Sequence, residues 1–199
     1  IRDRVDSVKS RLVKDPRQVP LAEKKALVEE YNQIVLGYHE KIQTSGVRYA
    51  DTFKSIWYAS SEGTYLEEEQ PDIYIAVSAT ARDGDIVQNG FKSTGGSTGF
   101  QLVENFHEKA TEAAKRAVEL LSAPPVAGGV YTVITDPVLT GVFTHEAFGH
   151  LSESDFVYEN DRMKELMQLG KRFGSDGLNI IDDGSLDGGL GTHPYDYEG

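Results

Sequence analysis

The chain has no cysteine among its 199 residues, so it can form no disulfide and can offer no thiolate to a metal ion. Positive charge is also scarce. Acidic residues outnumber basic ones 32 to 20, and the resulting net charge of −12 opposes binding to nucleic acid or to an anionic lipid surface. No apolar run is long enough to span a bilayer, and no basic start leads into an apolar signal segment, so no membrane partner is expected. Cytoplasmic residence is the simplest expectation for a chain of this kind. The glycine-rich stretch at 93–99 lacks the lysine of a phosphate-binding loop and reads as a flexible connection. The ends lack the marks of a finished domain. The sequence begins with Ile1 instead of methionine, and Tyr197, Glu198 and Gly199 close neither a helix nor a strand. It therefore reads as a piece of a longer protein.

What the chain does have is His145-Glu146-Ala147-Phe148-Gly149-His150, two imidazoles and a carboxylate within six residues. Neutral imidazole is a good zinc ligand, and a carboxylate beside two such ligands can take a proton from water activated by the ion. His145 and His150 are therefore candidate metal ligands and Glu146 a candidate general base. Histidines four apart differ by only ~40° around an ideal helix, whereas the five-residue spacing here corresponds to ~140°. Both rings can face one ion only if the helix is wound wider or stops between them, and Gly149 lowers the cost of leaving α geometry. A competing reading makes these histidines structural, hydrogen-bonded to neighbours in a buried helix.

Residues 131–135 read as a strand, Asp136 as an N-cap and Pro137 as the first helical residue. Val138, Leu139, Val142 and Phe143 read as a buried stripe leading to His145. Upstream, Val5, Val8 and Leu12 fall at helical spacing. Pro20 opens a longer helix with Leu21, Leu27, Tyr31, Ile34, Tyr38 and Ile42 along one face. From Val47 the period becomes two. Strands through Tyr58, 64–81 and 86–91 turn at Gly63 and Gly84, and form an antiparallel meander. Val103, Phe106, Ala110, Ala113, Ala114, Ala117 and Leu121 make a small-residue helix face suited to close packing on a sheet. Met163, Leu166 and Met167 indicate a further helix closed by Gly170. The tail from Ile181 is acidic and glycine-rich without a period. The expected class is α+β, a mostly antiparallel sheet with helices packed on it and the zinc-motif helix following a strand. Residues 1–128 are read as an N-terminal α/β domain, and 129–199 as the start of a C-terminal part.

The segment from Thr144 to His150, followed by Glu153 and Asp155, then Ile181-Asp182-Asp183-Gly184 and Asp196 to Gly199, resembles the TldD branch of the TldD/PmbA family of zinc peptidases. The turn at Ser61, Glu62 and Gly63 and the strand pair that follows resemble the sheet of that family's N-terminal domain. The resemblance implies zinc held by His145 and His150, with Glu146 as general base. It also implies a third cysteine ligand from a C-terminal domain, cytoplasmic location, and a homodimer or a heterodimer with a paralogue that trims small or unfolded peptides. Two further possibilities stay open. Glu153, or less favourably Asp155, could supply a local third ligand, and the chain alone could be an inactive peptide-binding or dimerisation module. His39, His107 and His193 are expected to serve the surface or packing, with His193 in a tail that could fold back over the site.

Overall fold

In a computed structural model, residues 4–196 are described; the closing motif residues 197–199 and Ile1 lie outside them. The chain divides into two compact units, Ile1–Pro125 with Asp183–Gly199, and Val126–Asp182.

The first unit is built on a long hairpin, β2 (Ile42–Ala59) and β3 (Tyr65–Asp83), which turns through Gly63 at φ 92°. Strand β4 (Ile86–Gly96) follows a second turn at Gly84, φ 57°, where a side chain would be strained. These three strands are antiparallel, in the register Tyr49↔Ile75 and Ile75↔Thr94. A short β1 (Val5–Val8) joins in parallel, with Val5 opposite Tyr65 and Val8 opposite Glu68. β2 lines one edge of β3. The other edge is shared end to end by β1, which stops at Glu68, and β4, which begins at Ile73.

Helix α1 (Leu21–Leu36) and helices α2 (Gln101–Glu104) and α3 (His107–Leu120) supply the rest of the core. Strict alternation along β3 buries Ile73, Ile75, Val77, Ala79 and Ala81 on one face against Val103, Phe106, Ala110, Ala113, Ala114 and Ala117. Each large apolar side chain buried this way contributes roughly 1.5–3 kcal/mol. The alanines let α3 approach closely: a Cβ at Gly90 would stand 1.9 Å from the Ala113 carbonyl oxygen. Tyr31, fully buried, donates its hydroxyl to the Val103 carbonyl at 2.6 Å and accepts the Phe106 N–H at 3.1 Å. It thereby satisfies two backbone groups where α2 gives way to α3.

The α+β class and the meander stand, with four local corrections. Val5 and Val8 lie in β1, not in a helix, because the start of β3 offers a long-range pairing partner that outweighs weak local spacing. Helix α1 ends at Leu36 with Gly37 as its cap, so Tyr38 falls outside it and Ile42 opens β2. The stretch at 93–99 is not a flexible connection. Its first half continues β4, and the Ser97 N–H donates to the Gly188 carbonyl at 3.0 Å. The returning tail lies so close that a Cβ on Gly96 would sit 2.6 Å from the Gly188 oxygen, and one on Gly95 2.8 Å from Leu190 Cδ1. These glycines serve close approach.

The fourth correction concerns the second unit, which is helical: α4 (Pro137–Thr144), α5 (Ser154–Glu159) and α6 (Asp161–Leu166). Residues 131–135 form no strand. A strand needs a neighbour to take up its N–H and C=O groups, and no strand occurs among the described residues of this unit. For the same lack of a covering layer, Val138, Leu139, Val142 and Phe143 are exposed instead of forming a buried stripe. Met163 is buried on α6, whose N-cap Asn160 accepts the Met163 N–H, and Gly170 beyond it has φ 82°. Among the described residues no helix is long and apolar enough to cross a membrane.

Candidate metal centre

Helix α4 begins as its sequence dictates. Asp136 Oδ1 accepts the Leu139 N–H at 2.7 Å, Pro137 occupies the first turn, and the Thr140 hydroxyl donates to the Asp136 carbonyl at 2.8 Å. At His145 the winding changes. His145–Gly149 forms a π-helical turn, in which the His150 N–H donates to the carbonyl of His145 five residues back, and His150–Ser152 tightens into a 3₁₀ turn. The wider turn offsets the angular mismatch of the five-residue spacing. The two rings meet edge to face with centroids 4.4 Å apart, so they lie on one side of the chain. Phe148, between them in sequence, packs edge to face on Phe173 at 5.5 Å and tethers the turn to the following loop.

Gly149 plays a different part from the one its flexibility suggests. Its φ of −54° and ψ of −57° are ordinary right-handed helix values, and a Cβ there would lie 3.6 Å from His145 Nδ1. Glycine thus leaves open space beside the first imidazole.

One donor atom each from His145, Glu146 and His150 lies within 4.8 Å of the others, and Glu146 Oε2 stands 3.7 Å from His150 Nε2. Among the described residues this is the only His/Asp/Glu cluster that could hold a metal. Donors bound to one zinc at ~2 Å must lie within ~4 Å of each other, a change that rotation of these exposed side chains accommodates. The donor set fits zinc. His150 Nδ1 is 2.8 Å from Glu153 Oε1. Glu153, weighed above as a third ligand, here pairs with the second ring nitrogen of His150. Asp155 is turned to its own backbone, accepting the Phe156 N–H at 2.8 Å. The outward role of Glu153 had one sequence signal, an acid three residues after the second histidine on a helical turn.

The other histidines are elsewhere in the fold. His107 Nε2 is 2.8 Å from Glu30 Oε1 and its ring stands edge-on to Tyr31. His39 Nδ1 accepts the Lys41 N–H. His193 belongs to the tail of the first unit and approaches Gln70 Nε2 at 3.5 Å.

Residues 14–121 match the model of the PmbA/TldA metallopeptidase central domain, and residues 128–199 that of its C-terminal domain. The chain belongs to the PmbA/TldD metallopeptidase family. A metalloprotease of Synechocystis is 47% identical over 94% of this chain, and one of Methanothermobacter thermautotrophicus 36% identical over 98%. A zinc metalloprotease TldD homolog of Saccharolobus solfataricus is 30% identical over 81%. The chain spans 40%, 42% and 36% of these relatives' lengths. A crystal structure from Bacteroides thetaiotaomicron, of a protein described as a proposed modulator of DNA gyrase, superimposes with a TM-score of 0.61 at 18% identity. The match covers 72% of this chain and 33% of that one, and it shows a shared fold.

Proposed function

We propose that this chain carries the metal-binding turn of a zinc-dependent peptidase that cleaves small or unfolded peptides. The observation that supports it best is the π-helical turn, which gathers His145, Glu146 and His150 on one side of the chain. His145 and His150 would hold the ion, with Glu153 keeping the Nε2 of His150 turned toward it. When bound, zinc supplies Lewis acidity and lowers the pKa of water toward ~7. Glu146, next to the first ligand, takes a proton from the attacking water and returns it to the departing amine. Its exposure lets both water and a peptide reach it. Two imidazoles leave a catalytic zinc one protein ligand short of three. The third, a cysteine by family resemblance, is assigned to the part of the relatives' length that this chain does not span. A homodimer or a heterodimer with a paralogue, working in the cytoplasm, is part of the same proposal.

The test is Glu146→Gln in the full-length protein, with zinc content and peptide cleavage measured together. Zinc should stay bound while turnover falls by roughly 10²–10⁴-fold, the usual worth of a positioned general base. Unimpaired cleavage with zinc retained would remove Glu146 from the mechanism. Loss of zinc would make it a ligand instead.

A further inference from the structure

We propose that a cleft in the first unit, where the tail passes beside the β2–β3 hairpin, binds an organic cation: the guanidinium or ammonium end of an arginine or lysine side chain. This site is argued independently of the metal centre. The cavity measures about 290 Å³, close to the lower bound of small-molecule pockets, and its walls include Trp57, Tyr58, Tyr195, Glu68, Gln70 and His193.

Glu68 carries the argument. It is the only charged side chain buried among the described residues, with 7% of its surface exposed. Its Oε1 accepts one hydrogen bond, from Gln70 Nε2 at 2.9 Å, and no basic side chain pairs with it among the described residues. The contrast with its neighbours is sharp. Glu67 and Glu69, which point to the other face of β3, both lie within 4.0 Å of Lys9 Nζ, at 3.8 and 3.4 Å. Glu68 lies between them in sequence and is left out. A carboxylate removed from water without a counter-charge is costly, and a cation arriving from solvent relieves that cost.

The walls suit the same ligand. Among the described residues lining the cleft none is lysine or arginine, and Asp196 adds a second acidic group. Aromatic faces attract cations through their quadrupole, and Tyr195 already does so: the Arg4 guanidinium carbon lies 4.9 Å from its ring centroid. The Tyr195 hydroxyl donates to Asp6 on β1, which fixes the ring. Glu68, Gln70 and His193 also line an adjoining cavity of about 480 Å³, so the cleft continues into room for the chain that bears the cationic group.

Trp57 stands opposite Glu67 on the other face of the sheet and only edges the cleft, so binding is read by calorimetry. The chain is titrated with N-acetyl-arginine methylamide and, separately, with the citrulline counterpart, which keeps the shape and lacks the charge. Saturable heat of binding for the arginine probe, with affinity at least tenfold weaker for citrulline, is expected. Glu68→Gln should weaken arginine binding at least tenfold, read by calorimetry, with the melting temperature unchanged or raised. No saturable signal up to millimolar probe, equal affinity for the two probes, or unchanged affinity in a folded Glu68→Gln protein overturns the proposal. If that variant does not fold, the arginine–citrulline comparison on the unaltered chain decides.

Discussion

Glu153 Oε1 sits 2.8 Å from His150 Nδ1, and this contact leaves Nε2 as the nitrogen open to the proposed metal. An ionised carboxylate can only accept, so Nδ1 carries the proton and Nε2 keeps its lone pair for the ion. Glu153→Ala should therefore lower zinc affinity by about 10–100-fold without unfolding the protein, measured by competition with a chelator. Complete loss of binding would instead make Glu153 a direct ligand.

Gly90 is fixed by contact, not by torsion. Its hypothetical Cβ would overlap the Ala113 carbonyl at 1.9 Å, so Gly90→Ala forces α3 off the sheet. A loss of about 1–3 kcal/mol or more is expected from urea denaturation, since backbone cannot rotate out of the way. Gly149→Ala is the matching control. Its Cβ meets His145 Nδ1 at an ordinary 3.6 Å, and stability should change little.

Removing one oxygen from the core should also be costly. Tyr31→Phe leaves the Val103 carbonyl and the Phe106 N–H buried without their shared partner. About 1–3 kcal/mol of stability should be lost, and amide exchange at Phe106 should accelerate. Unchanged exchange at that position would count against the assigned role of the hydroxyl.

Acid should weaken the junction where β1 ends. Glu69 accepts the Ser10 N–H and hydroxyl, each at 3.0 Å, and these donors hold its carboxyl below the ordinary value of 4.5, with Lys9 assisting. A folded-state pKa below the unfolded one means that the unfolded chain binds the proton more readily. The stabilisation is then present above about pH 4.5 and is lost as pH falls through the lowered folded value. The urea midpoints of the native chain and Glu69→Gln should converge as pH drops through that window. A constant gap between them would show that this carboxylate does not titrate in that way.

Legibility in the sequence followed the range of the forces involved. The hairpin turns were visible because Gly63 and Gly84 carry local torsional signals, and α3 because its alanines repeat on one face. The wide turn at His145 followed from spacing alone, since five residues cannot bring two rings together on an ideal helix. Strand β1 was hidden because four residues have no decisive period and their partner lies about 60 positions away. The exposure of Val138 and Phe143 was hidden for the opposite reason: an apolar stripe marks a face suited to burial, but does not say whether a cover is present. The cation cleft had no local signature at all. Glu67, Glu68 and Glu69 look alike in sequence, and only the register of β3 and the path of the tail separate the buried one from its neighbours.

The tail that completes the first unit is separated from the rest of it by the residues from Val126 to Asp182. On the ribosome, the sheet is made early but waits for more than fifty further residues before its last segment emerges. During that interval Gly95 and Gly96 lack the cover that Leu190 and Gly188 later supply, so that part of the sheet stays bare until the segment from Asp183 is made.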